Sequence, residues 1–246
     1  MSPYPLLVHV LALLGVLGLG ACKAPDASVE PGSSTAEQVT RAPSSLAPFE
    51  RVRVSTALEV TLVQGPEHRV QVSGDARTLE HLRIDHTQGR VHVHLDGKLR
   101  KVGRVRVELS TPTLRELEVV GASEVELRGF GELAQLDLGL HGASELRSPD
   151  LGVGSLRMEV TGASELELGG KAKACGLSMT GASDAQLGQL QCTDWSVDAS
   201  GACSAQIHAT RSLGPVRLTG ASDLSYSGGA QAHGLTIHGA SSLGKL

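Results

Sequence analysis

The chain has 246 residues, a formal net charge of −4 and 40% hydrophobic residues, enough for one large domain or two small ones. A mildly acidic chain without a basic stripe is a poor ligand for nucleic acid or an anionic lipid surface, so both are excluded as partners. Aromatic residues make up only 2%. A core must therefore be filled by Leu, Val, Ala and Met, which suits narrow, regularly stacked layers.

Residues 1–21 have the pattern of an export signal. The apolar run over residues 6–19 is shorter than a transmembrane helix requires and has the length of a signal-peptide core. It ends in Leu19-Gly20-Ala21-Cys22, which resembles the lipobox of bacterial lipoproteins. A diacylglycerol on Cys22 would anchor the chain to a membrane with about 0.8 kcal/mol per buried CH₂. An ordinary cleaved signal followed by an unmodified Cys22 is the alternative.

The segment after the cysteine is predicted to be a tether. By resemblance to lipoprotein sorting rules, Lys23 in place of Asp favours the outer membrane, with the periplasmic and surface faces both left open. Residues 22–47 are rich in Ala, Pro, Ser, Thr and Glu and contain scarcely any large apolar residue. Such a composition predicts a lipidated, disordered tether.

Residues 48–113 alternate apolar and polar side chains. Gly, Pro and Asp separate the alternating runs, as expected for half-buried strands joined by turns. This segment is predicted to be an N-terminal β block, with residues 76–82 as a candidate short helical turn. The alternating pairs include Val52 and Val54, Val60 and Leu62, Val70 and Val72, Val91 and Val93, and Val105 and Val107.

From residue 114 the sequence is a repeat. A small-residue triplet recurs seven times at intervals of 19 to 21 residues, and apolar residues stand four and two positions before each glycine and four positions after it. Each repeat is therefore predicted to be a strand, a small-residue corner and a second strand. The corners are Gly121, Ala122, Ser123; Gly142, Ala143, Ser144; Gly162, Ala163, Ser164; Gly181, Ala182, Ser183; Gly201, Ala202, Cys203; Gly220, Ala221, Ser222; and Gly239, Ala240, Ser241.

One such repeat cannot bury its own apolar side, so neighbouring repeats must stack on it at roughly 4.8 Å. The sequence predicts an all-β fold: a parallel β-helix or β-solenoid of about 20-residue turns over residues 114–246, preceded by the N-terminal β block. Only small residues allow the backbone to bend where identical positions lie directly above one another.

The alternating opening block and the repeated corner with its apolar flanks resemble the family called "putative auto-transporter adhesin, head GIN domain". The resemblance covers residues 48–246 and implies a β-helix-like fold on the bacterial envelope. It favours a non-catalytic adhesin-like scaffold or binding module that uses the solenoid faces to bind an envelope or surface ligand. The alternatives are a periplasmic binding protein for envelope maintenance or stress, and a carbohydrate-active β-helix enzyme. The opening motifs are Phe49-x-x-Val52-x-Val54 and Val60-x-Leu62-x-Gln64-Gly65.

An acidic residue stands three positions after five of the repeat glycines. In a stack these carboxylates would lie about 5 Å apart and repel one another by somewhat under 1 kcal/mol in water. The ladder is either a stripe that binds divalent cations or a cationic partner, or a solvated face that keeps the protein soluble. The chain has no Asp-x-Asp-x-Asp-Gly calcium loop, which favours the solvated face. The five residues are Glu124, Glu145, Glu165, Asp184 and Asp223.

No catalytic residue and no cofactor are predicted. The corner serines repeat without a paired histidine in each turn, which indicates a structural ladder, not a nucleophile. A sugar-cleaving β-helix usually carries aromatic platforms. Here the single indole, Trp195, falls at a position of inward parity and is predicted to be core.

His92 and His94 lie on one face of a predicted strand, and a His-x-His pair can hold zinc or copper. Sequence spacing places no third ligand, although His81 and His86 are near in sequence. An exposed strand face is the favoured interpretation, and no metal site is predicted.

Cys175, Cys192 and Cys203 remain when Cys22 is set aside, an odd number for an oxidising compartment. Cys175 and Cys192 lie in consecutive repeats, and their pairing is left open. Cys203 takes the place of a corner serine and is predicted to be a buried thiol.

Overall fold

The structure is a computed structural model that describes residues 38–97 and 102–246. Almost all of them lie in strands, and the one helix in these two segments has four residues, far too short to cross a membrane. In chain order the elements are β1 (Gln38–Ser45), β2 (Arg51–Thr56), β3 (Glu59–Gln64), β4 (Arg69–Asp75), α1 (Ala76–Leu79), β5 (Leu82–Thr87), β6 (Arg90–Leu95), β7 (Val105–Thr111), β8 (Glu116–Gly121), β9 (Glu124–Arg128), β10 (Leu133–Gly142), β11 (Glu145–Gly162), β12 (Glu165–Gly181), β13 (Asp184–Gly201), β14 (Ser204–Gly220), β15 (Asp223–Ser227), β16 (Gln231–Ala232), β17 (Leu235–Ile237) and β18 (Ser242–Lys245).

The repeat region is a stack of parallel turns. Each of β11 to β14 is one long strand of 17 or 18 residues, joined to the next by a small-residue corner. Neighbouring turns pair in parallel, so that Gly142 faces Gly162, Gly162 faces Gly181, and the series continues through Gly201 to Gly220. This register confirms the predicted β-solenoid with turns of about 20 residues.

The core consists of columns of aliphatic side chains that run along the stack. In β11, for example, Leu156, Met158 and Val160 are at most 1% exposed, while Arg157 and Glu159 between them face outward. Equivalent residues of successive turns lie in register, so each side chain packs on those of the turns before and after it. Burying one such side chain contributes about 1.5–3 kcal/mol.

Trp195 is part of this core. It is 1% exposed, and its indole Nε1–H donates to the carbonyl oxygen of His208 at 3.0 Å. In the same turn Ala199 stands between Met179 and Leu218. This turn therefore places the large Trp195 in one core column and the small Ala199 in another. The prediction that Trp195 is core, and not a sugar platform, is confirmed.

The first strands of the chain belong to the stack as well. β2 and β3 pair in parallel with β8 and β9, which sets Val54 opposite Val119 and Val60 opposite Val125. Thr56 faces Gly121 and has the left-handed backbone angle of a corner, with φ of 78°. The N-terminal block therefore contributes a strand, a corner and a second strand to the solenoid, and Thr56 stands at this corner where the repeats have glycine.

The stacking order of the N-terminal turns differs from their order in the chain. β6 and β7 pair in parallel with β2 and β3, so the turn of residues 51–64 lies between residues 90–111 and residues 116–128. Antiparallel strands then cover this end of the stack: β5 pairs with β6, β4 with β7, and β1 with β4. A solenoid needs such a cap because an open row of N–H and C=O groups would pair with other chains.

The prediction of a disordered tether over residues 22–47 is wrong for its last part. β1 lies within it and pairs antiparallel with β4, and the Leu46 N–H donates to the carbonyl oxygen of His68 at 2.9 Å. Val39 and Leu46 also pack partly buried against the core. An edge strand held largely by backbone hydrogen bonds needs no apolar pattern, which is why composition did not reveal it. The predicted signal peptide, Cys22 and the rest of the tether lie outside the described residues.

Replacing a corner glycine should weaken the stack much more than replacing a glycine that has space around its Cα. Gly162 has φ of 91°, and a Cβ there would lie 2.3 Å from the carbonyl oxygen of Gly142. We expect Gly162→Ala to lower the free energy of unfolding by about 2–5 kcal/mol, from the left-handed backbone and the clash together. Urea unfolding followed by circular dichroism measures the change.

Gly176→Ala is the matched control. A Cβ at Gly176 would meet only the Ser196 Oγ, at 3.5 Å, which is ordinary van der Waals contact. We expect the free energy of unfolding to change by no more than about 0.5 kcal/mol. Equal losses in the two variants would show that the corner imposes no special constraint.

Candidate functional site

The small-residue corners form one continuous file along the stack. From Ala143 onward, the backbone N–H of each corner alanine donates to the carbonyl oxygen of the glycine one turn earlier, as from Ala163 to Gly142 at 2.7 Å and from Ala182 to Gly162 at 2.8 Å. Ala122 donates to the carbonyl oxygen of Thr56 at 3.3 Å instead. The alanine side chains are exposed, whereas the serines that follow them are almost fully buried except for Ser241 at the last corner. The file is therefore held by backbone hydrogen bonds and presents only methyl groups to solvent.

The buried serine hydroxyls bond to backbone carbonyls. Ser164 Oγ lies 3.1 Å from the carbonyl oxygen of Thr161 in its own turn and 3.4 Å from that of Gly142 in the turn before. Ser144, Ser183 and Ser222 make the same pair of contacts. A buried hydroxyl that donates to a carbonyl has no imidazole to take its proton, so this geometry does not support a nucleophile.

The cysteines have two roles. Cys203 occupies the corner-serine position as a free, buried thiol, with its Sγ 3.6 Å and 3.7 Å from the equivalent carbonyl oxygens. Cys175 and Cys192, whose pairing the sequence left open, are joined by a disulfide. The bond links two consecutive turns inside the core, since both cysteines are buried.

The acidic residues predicted to form a ladder do lie in register. The column also extends further than the repeats indicated, because Glu59 of the glycine-free turn precedes Glu124. Its members in spatial order are Glu59, Glu124, Glu145, Glu165, Asp184, Ser204, Asp223 and Ser242.

Neighbouring arginines offset the charge of two carboxylates of this column, Glu145 and Glu59. Arg147 Nη2 lies 2.5 Å from Glu145 Oε1, and its Nε lies 3.2 Å from Glu167 Oε2. At the N-terminal end, Arg104 and Arg106 each place Nε 2.8 Å from a carboxylate oxygen of Glu59. Exposed ion pairs of this kind contribute little to stability, about 0–1 kcal/mol each. The compensation favours the solvated-face interpretation of the ladder.

A second outward column borders an open groove of about 830 Å³. Pro149, Gly169 and Gly188, which have short or no side chains, line the groove beside it. The column thus provides a carboxylate, a guanidinium, a second carboxylate and two amides in succession, with both hydrogen-bond donors and acceptors. Its members in consecutive turns are Glu126, Arg147, Glu167, Gln186 and Gln206.

One end of the groove carries a fixed charge. Arg128 donates to both carboxylate oxygens of Glu126, at 2.8 Å and 2.6 Å. This hydrogen bonding is the main reason that the pKa of Glu126 lies below its ordinary value. Glu126 is therefore an ionised acceptor at neutral pH.

The cap brings three potential metal ligands together. The antiparallel register of β5 and β6 sets Asp85 directly opposite His92, and His94 follows on the same face with its ring stacked on that of His92 at a centroid distance of 4.3 Å. One ligand atom from each residue lies within 4.8 Å of the other two. Burial lowers the pKa of His92, and the charges of His94 and Arg53 lower it further. Sequence spacing could not identify this group, because only strand pairing brings Asp85 to the histidines.

The fold and surface define the class of protein: a capped parallel β-solenoid that presents ladders of polar side chains to solvent. Residues 48–230 match the family described as "putative auto-transporter adhesin, head GIN domain", and the chain belongs to that family. No protein of curated function matches the sequence.

Solved structures share the fold. A "putative adhesin" from Bacteroides fragilis NCTC 9343 superposes with a TM-score of 0.80 at 17% identity, over 85% of this chain and 97% of that one. A "putative lipid binding protein" from Parabacteroides distasonis ATCC 8503 gives 0.67 at 13% identity, over 86% and 98% of the two chains. A "putative adhesin" from Parabacteroides merdae ATCC 43184 gives 0.65 at 15% identity, over 86% and 97%. At these identities the likeness is one of fold.

Proposed function

We propose that the chain is a non-catalytic, adhesin-like binding protein of the bacterial envelope, and that its ligand binds in the polar groove. The groove, lined by Arg147, Gln186 and Gln206 among others, is the observation that carries the proposal. Its polar side chains stand on consecutive turns of a rigid stack, so donors and acceptors recur at roughly 4.8 Å. An extended polar ligand with regularly spaced hydroxyl, amide or charged groups fits this spacing.

Three observations support a binding role over catalysis. The repeated serines are bonded to carbonyls and buried. Trp195 lies in the core, where it cannot stack on a sugar. The family is named for adhesion, which supports a binding role.

The envelope location rests on the sequence around Cys22 and on the disulfide. Disulfides persist in oxidising compartments such as the periplasm and the cell surface, and Cys175–Cys192 is of that kind. We propose that Cys22 carries the lipid and that the protein resides in the outer membrane. A periplasmic maintenance or stress role would use the same groove on a protein that faces the periplasm.

Removing two amides from the groove should weaken ligand binding without affecting folding. Gln186 and Gln206 are exposed and face each other in adjacent turns. We expect Gln186→Ala combined with Gln206→Ala to reduce binding of the purified chain to outer-membrane and cell-wall fractions about tenfold. That corresponds to roughly 1.4 kcal/mol, a reasonable loss for two hydrogen bonds.

The control is a pair of substitutions in the same two turns on another face. Asp198 and Arg217 are neighbours 4.0 Å apart, both exposed, and neither lines the groove. Asp198→Ala with Arg217→Ala should leave binding unchanged, with both double variants retaining the wild-type unfolding temperature. Binding of the groove variant at the wild-type level would remove the groove from the proposal.

The lipid anchor has its own test. We expect cells grown with labelled palmitate to incorporate label into the wild-type chain and not into Cys22→Ser, which should leave the membrane fraction. Protease treatment of intact cells then distinguishes the two orientations, since only a surface-facing chain would be degraded. Label in Cys22→Ser would contradict lipidation at this residue, and complete protection from protease would contradict an adhesive role.

A further inference from the structure

We propose that Asp85, His92 and His94 form a binding site for a divalent transition-metal ion, with Zn²⁺ the ion whose preferences these donors match. Two imidazoles and one carboxylate are a common donor set for zinc, whereas Ca²⁺ and Mg²⁺ prefer oxygen alone. The site lies in the cap and shares no residue with the polar groove. A test of metal binding is therefore independent of a test of the proposed function.

The ligand atoms are already close to the required arrangement. In a tetrahedral zinc site with bonds of about 2.0–2.1 Å, ligand atoms lie roughly 3.3 Å from one another. His94 Nδ1 and Asp85 Oδ2 are 3.7 Å apart, and all three ligand atoms fall within 4.8 Å. The remaining adjustment is within the reach of Asp85, whose side chain is 62% exposed and therefore able to change rotamer.

One ring nitrogen of His94 has no hydrogen-bond partner in the described part of the chain and is available to bind a metal ion. Its Nδ1 is buried, and no hydrogen-bond partner for it exists among residues 38–97 and 102–246. The distance of 3.7 Å to Asp85 is too long for a hydrogen bond. A buried ring nitrogen without a partner is unfavourable, and a metal ion between His94 and Asp85 would bind both the ring nitrogen and the carboxylate.

Other histidines on the surface differ in this respect. His141 Nδ1 lies 2.8 Å from Thr161 Oγ1, and His208 Nδ1 lies 2.8 Å from Ser227 Oγ. Each of these rings is satisfied by a hydroxyl of the adjacent turn. The cap histidines are distinguished by their mutual stacking and by the carboxylate opposite them.

The surrounding charges permit a cation. Arg53 faces His92 in the pairing of β2 with β6 and is held by Glu118 at 3.0 Å. Arg83 faces His94 in the pairing of β5 with β6 and lies 4.0 Å from the carboxylate of Asp96. His92 Nε2 lies 2.8 Å from Ser55 Oγ, which fixes the orientation of this ring through the adjacent turn. Such outer contacts commonly orient metal-binding imidazoles.

A bound ion would join the edge strand of the cap to the stack. Asp85 lies on β5, which pairs only with β6 among the described strands, and both histidines lie on β6. Three protein ligands leave the fourth position of a tetrahedral ion to water or to a donor group from a partner. The site would therefore both stabilise the cap and offer a metal-dependent contact at the end of the protein.

Zinc titration of the purified chain tests the site. We expect isothermal titration calorimetry to show one Zn²⁺ bound per wild-type chain, and zinc to raise the unfolding temperature, since an ion that binds only the folded state stabilises it. Asp85→Asn, His92→Ala and His94→Ala should each lower the zinc affinity by at least about tenfold. Mg²⁺ and Ca²⁺ at the same concentration should give neither signal.

His141→Ala is the matched control, because it removes a surface imidazole that already has a hydroxyl partner. It should bind zinc as the wild type does. Asp85→Asn keeps the test decisive if a histidine variant folds poorly, since Asp85 is exposed. Absence of zinc binding by the wild-type chain, or wild-type affinity in a correctly folded variant of any of the three residues, would overturn the proposal.

Discussion

The whole structure depends on one close backbone contact that is repeated in every turn. At each glycine corner the carbonyl oxygen of the glycine accepts the N–H of the alanine in the next turn, at 2.7–2.8 Å. A Cβ on the upper glycine would lie only 2.3–2.6 Å from the lower carbonyl oxygen over most of the file. Glycine is therefore required by contact as well as by its positive φ. Because the corners cannot slip, the aliphatic columns, the serine hydroxyls and the outward ladders are all kept in register.

The same register separates structural from functional positions. Alternate residues point inward, where Leu, Val and Met fill the columns, and the residues between them point outward. An outward residue can change without disturbing the core, so the polar groove and the three-residue cap cluster could arise on the same scaffold. This separation is what places the proposed binding functions on the outer ladders and none in the serine file.

The repeat region could be predicted from sequence because periodic spacing specifies spatial stacking directly. Three features could not be predicted, each for a physical reason. The turn around Thr56 uses a non-glycine residue in the left-handed region, so it carries no repeat signal. β1 is held largely by backbone bonds to β4, which apolar patterning does not record. Asp85 meets His92 only through the β5–β6 pairing, and register between strands is not encoded by spacing along one of them.

Distances between spin labels along one outward column test the stacking most directly. Glu124, Ser204, Asp223 and Ser242 lie in one file, with Ser204 four turns, Asp223 five turns and Ser242 six turns from Glu124. With Cys22 and Cys203 replaced by serine and the disulfide retained, labels at Glu124 and each of the others should be about 19, 24 and 29 Å apart, a rise of roughly 4.8 Å per turn. Distances that do not increase by a constant step would contradict a register-locked solenoid.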